Sequence, residues 1–436
     1  MLDPNIQKRS FHLISKFNIV LICFAAWILA QLLIPIKFLP NSLISQLEIY
    51  KSLIPAIGIT LCLALYLDKL KFNAAFLPFI LFSIFCVFKA FILLIIISTL
   101  PFDILYQTIM YTLWILLMFV AGPSFLNSLS KLKLFLRFVI IIFCTVIIIS
   151  FLFIYYFGLE TSTLYRDGRF TFIYGNPLYL GAIVYSLLCC SLLLKEFNIS
   201  RIERIALSTL SMLCLLALIA SFSRTFLLAT LFLLATNFYF QKPKLGWITI
   251  IFILISLVTG LLFFIIQITS GTIIDRESIN SLSSGRLLNW VGSFQDLDGW
   301  NLLWGNDGSS SYLNVLNSAD GEEVNASFQR YAVDNSYIEI FINTGIIGFS
   351  LFCWGLINIF LMIKFINLNL DKNNIELGRI LSTSYAVLSS LLVAAIFYGF
   401  YPSLGNTINA AIFPPIFSII FLAYNLSIKD KSKDTS

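Results

Sequence analysis

The chain has 436 residues, of which 59% are hydrophobic and 11% charged, with a mean hydropathy of +0.93. Soluble domains carry about a quarter charged residues, so this composition excludes a water-soluble enzyme or binding module and marks an integral membrane protein. The net charge of +6 does not indicate a nucleic-acid partner, because the basic residues lie in short segments between apolar runs.

Apolar runs able to cross a hydrocarbon core of about 30 Å recur along the whole length. The first, Phe17 to Ile36, is too long for a signal-peptide core and lacks a convincing cleavage site, so it reads as a retained helix. Twelve spans are expected, at about 17–36, 52–67, 75–99, 105–127, 138–159, 177–194, 205–222, 225–240, 247–267, 336–363, 380–398 and 408–427. The expected fold is an all-α integral membrane protein, one polytopic domain over residues 1–436. Its one long loop, about 268–335, would form a cap on the outer face. Alternating the connections puts nineteen Lys and Arg on the side of both termini and eight on the other, so the positive-inside rule makes both termini cytoplasmic.

Along the chain, Lys89 is the one lysine well inside a span, where a cation marks either a functional site or a structural pair facing the bundle interior. The eight cysteines all fall inside expected helices with no CxxC pair and read as small core residues. "YRDGRFTFIYGNPLYLG", Tyr165 to Gly181, places Arg166 and Arg169 around an Asp-Gly turn, and Asn176-Pro177 suits a helix start. After Lys51 every basic residue on the outer side is an arginine, whose planar fork binds phosphate bidentately.

"SFSRTFLL", Ser221 to Leu228, interrupts a 36-residue run, Ile205 to Phe240. As one helix that run would measure about 54 Å, too long for one crossing, so it must fold as a hairpin with Arg224 near the outer boundary. Arg224 then either snorkels to the headgroups or binds an anion. A charge-assisted phosphate contact, worth about 1.5–3 kcal/mol, would offset its desolvation. Ser221 and Ser223 either share in binding or cap the turn.

The long loop carries "SSGRLLNW" (Ser283 to Trp290), "LLWGNDG" (Leu302 to Gly308) and "VDNSYIEIFINTGIIG" (Val333 to Gly348), with a helix-like stretch over Ser284–Leu297. Asp334 and Asn335 would cap the tenth span, with Glu339 about one and a half turns inside it. Asp334 is alternatively a general base at the membrane boundary. Asp296-Leu297-Asp298 reads as solvated loop. The single histidine, His12, lies in the N-terminal segment, and neither a G-x-S-x-G elbow nor a Walker-type phosphate loop is present.

A hairpin with S-x-S-R, a long outer loop with an S-G-R, a "GNDG" turn and a D-N-x-Y motif running into "GIIG" together resemble the bacterial O-antigen polymerase (Wzy) and O-antigen ligase superfamily over about residues 160–350. The resemblance implies a cofactor-free, metal-independent glycosyltransferase of the bacterial inner membrane, acting at the periplasmic face in lipopolysaccharide biosynthesis. Its donor would be a glycan on undecaprenyl diphosphate. By motif match Arg224 and Arg286 would hold the diphosphate, with Arg166 or Arg169 supporting. Asp334 would serve as base, and Ser221, Ser223, Asn335, Tyr337 and Glu339 would line the substrate site. The ligases' motif generally begins with histidine, whereas this chain has Asp334, which favours a polymerase with a second lipid-linked repeat unit as acceptor. The implied partners are lipid-linked glycans, the bilayer, a chain-length regulator and a flippase. The competing readings are a ligase acting on lipid A core, and a lipid-linked oligosaccharide transporter. A transporter would spread its charges over many spans rather than gather them at one face.

Overall fold

The computed structural model describes residues 4–34, 36, 41–69, 73–97, 102–157, 164–166, 169–174, 176–241, 299–305, 335–370, 374–396, 398 and 407–434. The chain is an α-helical, multi-pass membrane protein. Its helices are α1 (Pro4–Leu33), α2 (Asn41–Leu65), α3 (Leu77–Ile97), α4 (Phe102–Leu116), α5 (Gly122–Phe125), α6 (Leu129–Phe157), α7 (Pro177–Lys195), α8 (Arg201–Ser221) and α9 (Arg224–Gln241). They continue with α10 (Gly299–Trp304), α11 (Ser336–Asn369), α12 (Ile375–Ala394), α13 (Thr407–Ala411) and α14 (Phe413–Asp434). A two-residue antiparallel ladder, β1 (Tyr165–Arg166) with β2 (Arg169–Phe170), precedes α7.

Among the described residues nine helical segments are long and apolar enough to cross a membrane, and Leu53–Leu65 and Arg224–Tyr239 are apolar but shorter. The expected span at 247–267 lies outside the described residues, as does most of the expected cap, including Ser284–Leu297 and Asp296–Asp298. Element boundaries move where capping chemistry overrides hydropathy. Ser200 accepts a hydrogen bond from the Glu203 amide and so starts α8 four residues before the apolar run. α4 does not stop at Leu116 but passes through a π-helical turn, Leu117–Ala121, into α5.

Neighbouring helices pack as α1 on α2, α3 on α4 and α11, α6 on α7, α7 on α8, and α9 on α12, while α14 runs against α5, α11 and α12. Water does not drive apolar helices together inside a bilayer, so van der Waals fit and interhelical hydrogen bonds must hold them. Phenylalanine supplies much of that fit. The Phe119 ring stacks on Phe76 at 4.5 Å and on Phe79 at 4.6 Å, and Phe352 meets Phe79 edge-on at 5.7 Å. Polar pairs cross the same interior: Trp114 Nε1 donates to Asn409 Oδ1 at 3.2 Å, and Asn358 Nδ2 to the Ala75 carbonyl at 3.3 Å. The Tyr185 hydroxyl bonds Ser390 Oγ between α7 and α12.

At the end where α7 joins α8, Arg137 grips Glu203 through two bonds of 2.7 and 2.6 Å, and Lys133 donates to the Asn198 carbonyl. The Asn198 amide donates to Glu376 Oε1 at 2.9 Å, tying this turn to α12. Burial pushes the Glu196 carboxyl in the same turn above its ordinary value, against the opposing pull of Arg379 and Lys195. The interior pair gives a stability test. Tyr185→Phe leaves Ser390 bonded to the Val387 carbonyl and removes the interhelical bond together with the contact of the hydroxyl to the Cys189 thiol one turn along α7. It should lower unfolding free energy in bicelles by about 0.6–1.7 kcal/mol; unchanged stability would show that the bond contributes nothing.

Candidate functional site

α8 ends at Phe222, whose left-handed backbone (φ 45°) reverses the chain so that α9 begins two residues later at Arg224. The hairpin expected from run length is therefore present with almost no loop. Ser221 is buried and turned inward: its Oγ donates to the Leu218 carbonyl at 2.9 Å and accepts from the Ser223 amide at 3.4 Å. Ser223 is also buried, but its Oγ has no hydrogen-bond partner among the described residues. It lies against the backbone of Gly181 in α7, where a Cβ would meet Ser223 Oγ at 2.6 Å. Arg224 itself is exposed.

The other motifs converge on this end of the bundle. β2 packs on α8, and the ladder register opposes Arg166 to Arg169 across the turn. Asn176 caps α7 by accepting the Leu178 amide at 2.9 Å, with Pro177 at the first helical position. Two residues beyond Arg224, the Phe226 ring meets Tyr398 at 5.3 Å. The Tyr398 carbonyl accepts from Ser336 Oγ at 3.0 Å, and the Ser336 amide donates to the Ala395 carbonyl at 2.9 Å. The start of α11 and the α8–α9 turn are thus joined through the end of α12.

Asn335 is the cap of α11: its Oδ1 accepts from the Tyr337 and Ile338 amides at 2.9 and 3.1 Å. The Tyr337 hydroxyl donates to the Leu392 carbonyl at 3.0 Å. Glu339 sits in the first turn, earlier in the helix than expected, half-buried. Asp334 and Arg286 lie outside the described residues.

α11 is not one straight span. At Gly345 the backbone adopts φ 62°, ψ −168°, a conformation that favours glycine and cannot continue the helical ladder. The carbonyls of the turn before it lose their regular acceptor role. Lys89, buried on α3, donates from Nζ to the Asn343 carbonyl at 2.6 Å. Its charge therefore lies at the negative end of the half-helix Ser336–Thr344. The Asn343 side chain donates to the Tyr111 hydroxyl on α4 at 3.0 Å. α10 docks on the same break: a Cβ on Gly305 would strike Asn343 and Thr344, and one on Gly345 would strike Leu303. Trp304 stacks on Phe85 of α3 at 5.6 Å. So "LLWG" of the long loop and "NTGIIG" of α11 touch through glycines, with Lys89 beneath them.

Sequence reading singled out Lys89 without finding its partner, and did not find the roles of Asn343, Gly305, Gly345 or Gly181. The signal present was a glycine in each of two neighbouring motifs, which by itself does not say that they meet. If Lys89 satisfies the broken helix, Lys89→Met should lower stability in detergent by about 1–3 kcal/mol. Lys89→Arg, which keeps a donor, should lose less, and a wild-type unfolding curve for Lys89→Met would refute the role. The chain matches no protein-family model, and no curated protein matches it.

Proposed function

We propose that this protein is a glycosyltransferase of the O-antigen polymerase type, joining repeat units carried on undecaprenyl diphosphate at the periplasmic face of a bacterial inner membrane. One observation carries the reading. The motifs that resemble the family's, "RDGRF…GNP", "SFSR", "LLWG" and "DNSY…NTGIIG", are far apart in sequence, yet their described parts gather at one end of the bundle. That end is opposite the turn holding Lys133, Arg137 and Arg201, which the positive-inside rule assigns to the cytoplasm.

In the proposed reaction the acceptor hydroxyl oxygen attacks the anomeric carbon of the donor glycan. The bond from that carbon to the diphosphate oxygen breaks, and its electron pair leaves with the lipid diphosphate. Asp334 takes the acceptor's proton. Arg224 and Arg286, supported by Arg166 or Arg169, stabilise the charge developing on the diphosphate. Arg224 suits that task because a helix end, rather than a loop, fixes its backbone, and because a guanidinium fork can grip a phosphate bidentately. Ser221, Asn335 and Tyr337 act in this scheme by holding the turn and the helix start, since their polar atoms are bonded within the protein.

Deleting the gene in its host and separating surface polysaccharide on a gel tests the reading. A polymerase gives single-repeat caps with no ladder. Bare core with accumulated lipid-linked polymer would mean a ligase, and no product outside would mean a transporter. In the complemented strain Arg224→Ala should abolish the ladder at normal protein level, and a full ladder would remove Arg224 from the mechanism. Asp334→Asn keeps the size and polarity of the side chain, leaves the Asn335 cap in place and loses basicity, so full activity there would eliminate Asp334 as base.

A further inference from the structure

Among the described spanning helices α8 is the most open: 22% of its spanning segment is buried, against 78% of its partner α7. Its outward face is sorted by depth. Arg201 and Arg204 lie in the first turn, exposed Ser208 and Thr209 follow, and exposed Met212, Leu216 and Ile219 continue into the apolar zone. At about 1.5 Å per residue the arginines stand roughly 12–16 Å above Met212, about the depth of one leaflet's polar region and upper chains. Around them lies an open recess of about 720 Å³ lined by Ile199, Arg201, Arg204, Ile205, Ser208 and Thr209.

Topology alone explains why cations lie at this end, but not why these two make no salt bridge among the described residues. Their neighbours are engaged within the protein: Arg137 by Glu203, Lys133 by the Asn198 carbonyl, and Lys131 by Asn127 Oδ1 at 3.1 Å. The nearby carboxylates also face elsewhere. Glu203 is held by Arg137, and Glu196 bonds Thr383 beside Arg379 and Lys195, with Arg204 the weakest of its three cations. Among the described residues no carboxylate lies within salt-bridge distance of Arg201 or Arg204. Ser208 and Thr209 donate back to the Arg204 and Ile205 carbonyls at 2.8 and 3.2 Å, so toward the recess they offer only acceptors. Two guanidinium groups above hydroxyl oxygens above an apolar stripe match a phosphodiester, a hydroxylated headgroup and an acyl chain in that order.

We propose that this face of α8 is a binding site for an anionic phospholipid of the phosphatidylglycerol kind. Its phosphodiester lies between Arg201 and Arg204, and its acyl chain follows Ile205, Met212 and Leu216. The site is at the opposite end of the bundle from the "SFSR" turn and is independent of the reaction proposed there.

The full chain, reconstituted in nanodiscs of equal phosphatidylglycerol and phosphatidylcholine and released into mild detergent, can be read by native mass spectrometry. Retained phosphatidylglycerol should exceed phosphatidylcholine roughly tenfold or more. Arg201→Gln with Arg204→Gln should bring the ratio near one. Arg201→Lys with Arg204→Lys should keep a preference, as should Lys364→Gln at an exposed position on α11. Equal retention by the wild type, or an unchanged ratio in the double glutamine variant, would overturn the proposal. So would lipid-free dimers, which would mean that a second copy covers the face. Displacement of the lipid by millimolar inorganic phosphate would equally overturn it, by assigning the arginines to a soluble anion.

Discussion

A peptide carbonyl released inside a bilayer has no water to bond, and α11 releases such groups at Gly345, about 14 Å from its first turn. The Lys89 ammonium on the Asn343 carbonyl is the described answer to that problem, and much of this end of the bundle depends on it. The break permits α10 to approach backbone to backbone, since Gly305 and Gly345 leave no Cβ between the chains. The same residue, Asn343, carries the contact to α4 through Tyr111. A straight α11 would have had no need for a buried cation and no place for α10. The Lys89–Asn343 bond offsets part of the cost of burying Lys89 and part of the cost of breaking α11.

From that anchor a continuous series of contacts runs to the exposed arginine. The half-helix Ser336–Thr344 is fixed at one end by Lys89 and at the other by the Asn335 cap. Ser336 bonds the end of α12 through both its amide and its hydroxyl, Tyr398 passes the contact to Phe226, and Phe226 lies in the first turn of α9 behind Arg224. Every link is a packed ring or a bond to backbone, which constrains position more tightly than a pair of flexible side chains would.

How much of this was legible in sequence depended on the range of the forces involved. Hydropathy and charge asymmetry act over whole segments, so the helical membrane class and the α8–α9 hairpin were readable, the latter from length alone. Caps act within four residues, and Asn176-Pro177 and Asn335 were readable for that reason. The hydropathy windows missed the four residues that Ser200 adds to α8, and the span expected at 105–127 covered the continuation of α4 without revealing its π-helical turn, because neither feature changes the apolar count. Least legible was the α11 break. Its sequence, "NTGIIG", fits an ordinary span with tolerated glycines, and only the positive φ distinguishes Gly345 from Gly348. The partner that gives the break its meaning, Lys89, lies 254 positions away. No local pattern reaches that far.

The two serines of the turn, identical in type and two residues apart, divide by geometry. Ser221 Oγ is already committed to the Leu218 carbonyl, and in a helix such a bond closes the last turn. Ser223 Oγ has no such partner and is enclosed against Gly181 and the Phe226 ring. Leaving a buried hydroxyl unpaired costs about 1–3 kcal/mol. Of the two serine hydroxyls in the turn, only that of Ser223 is uncommitted among the described residues, so packing and capping account for Ser221 and leave Ser223 without a structural role.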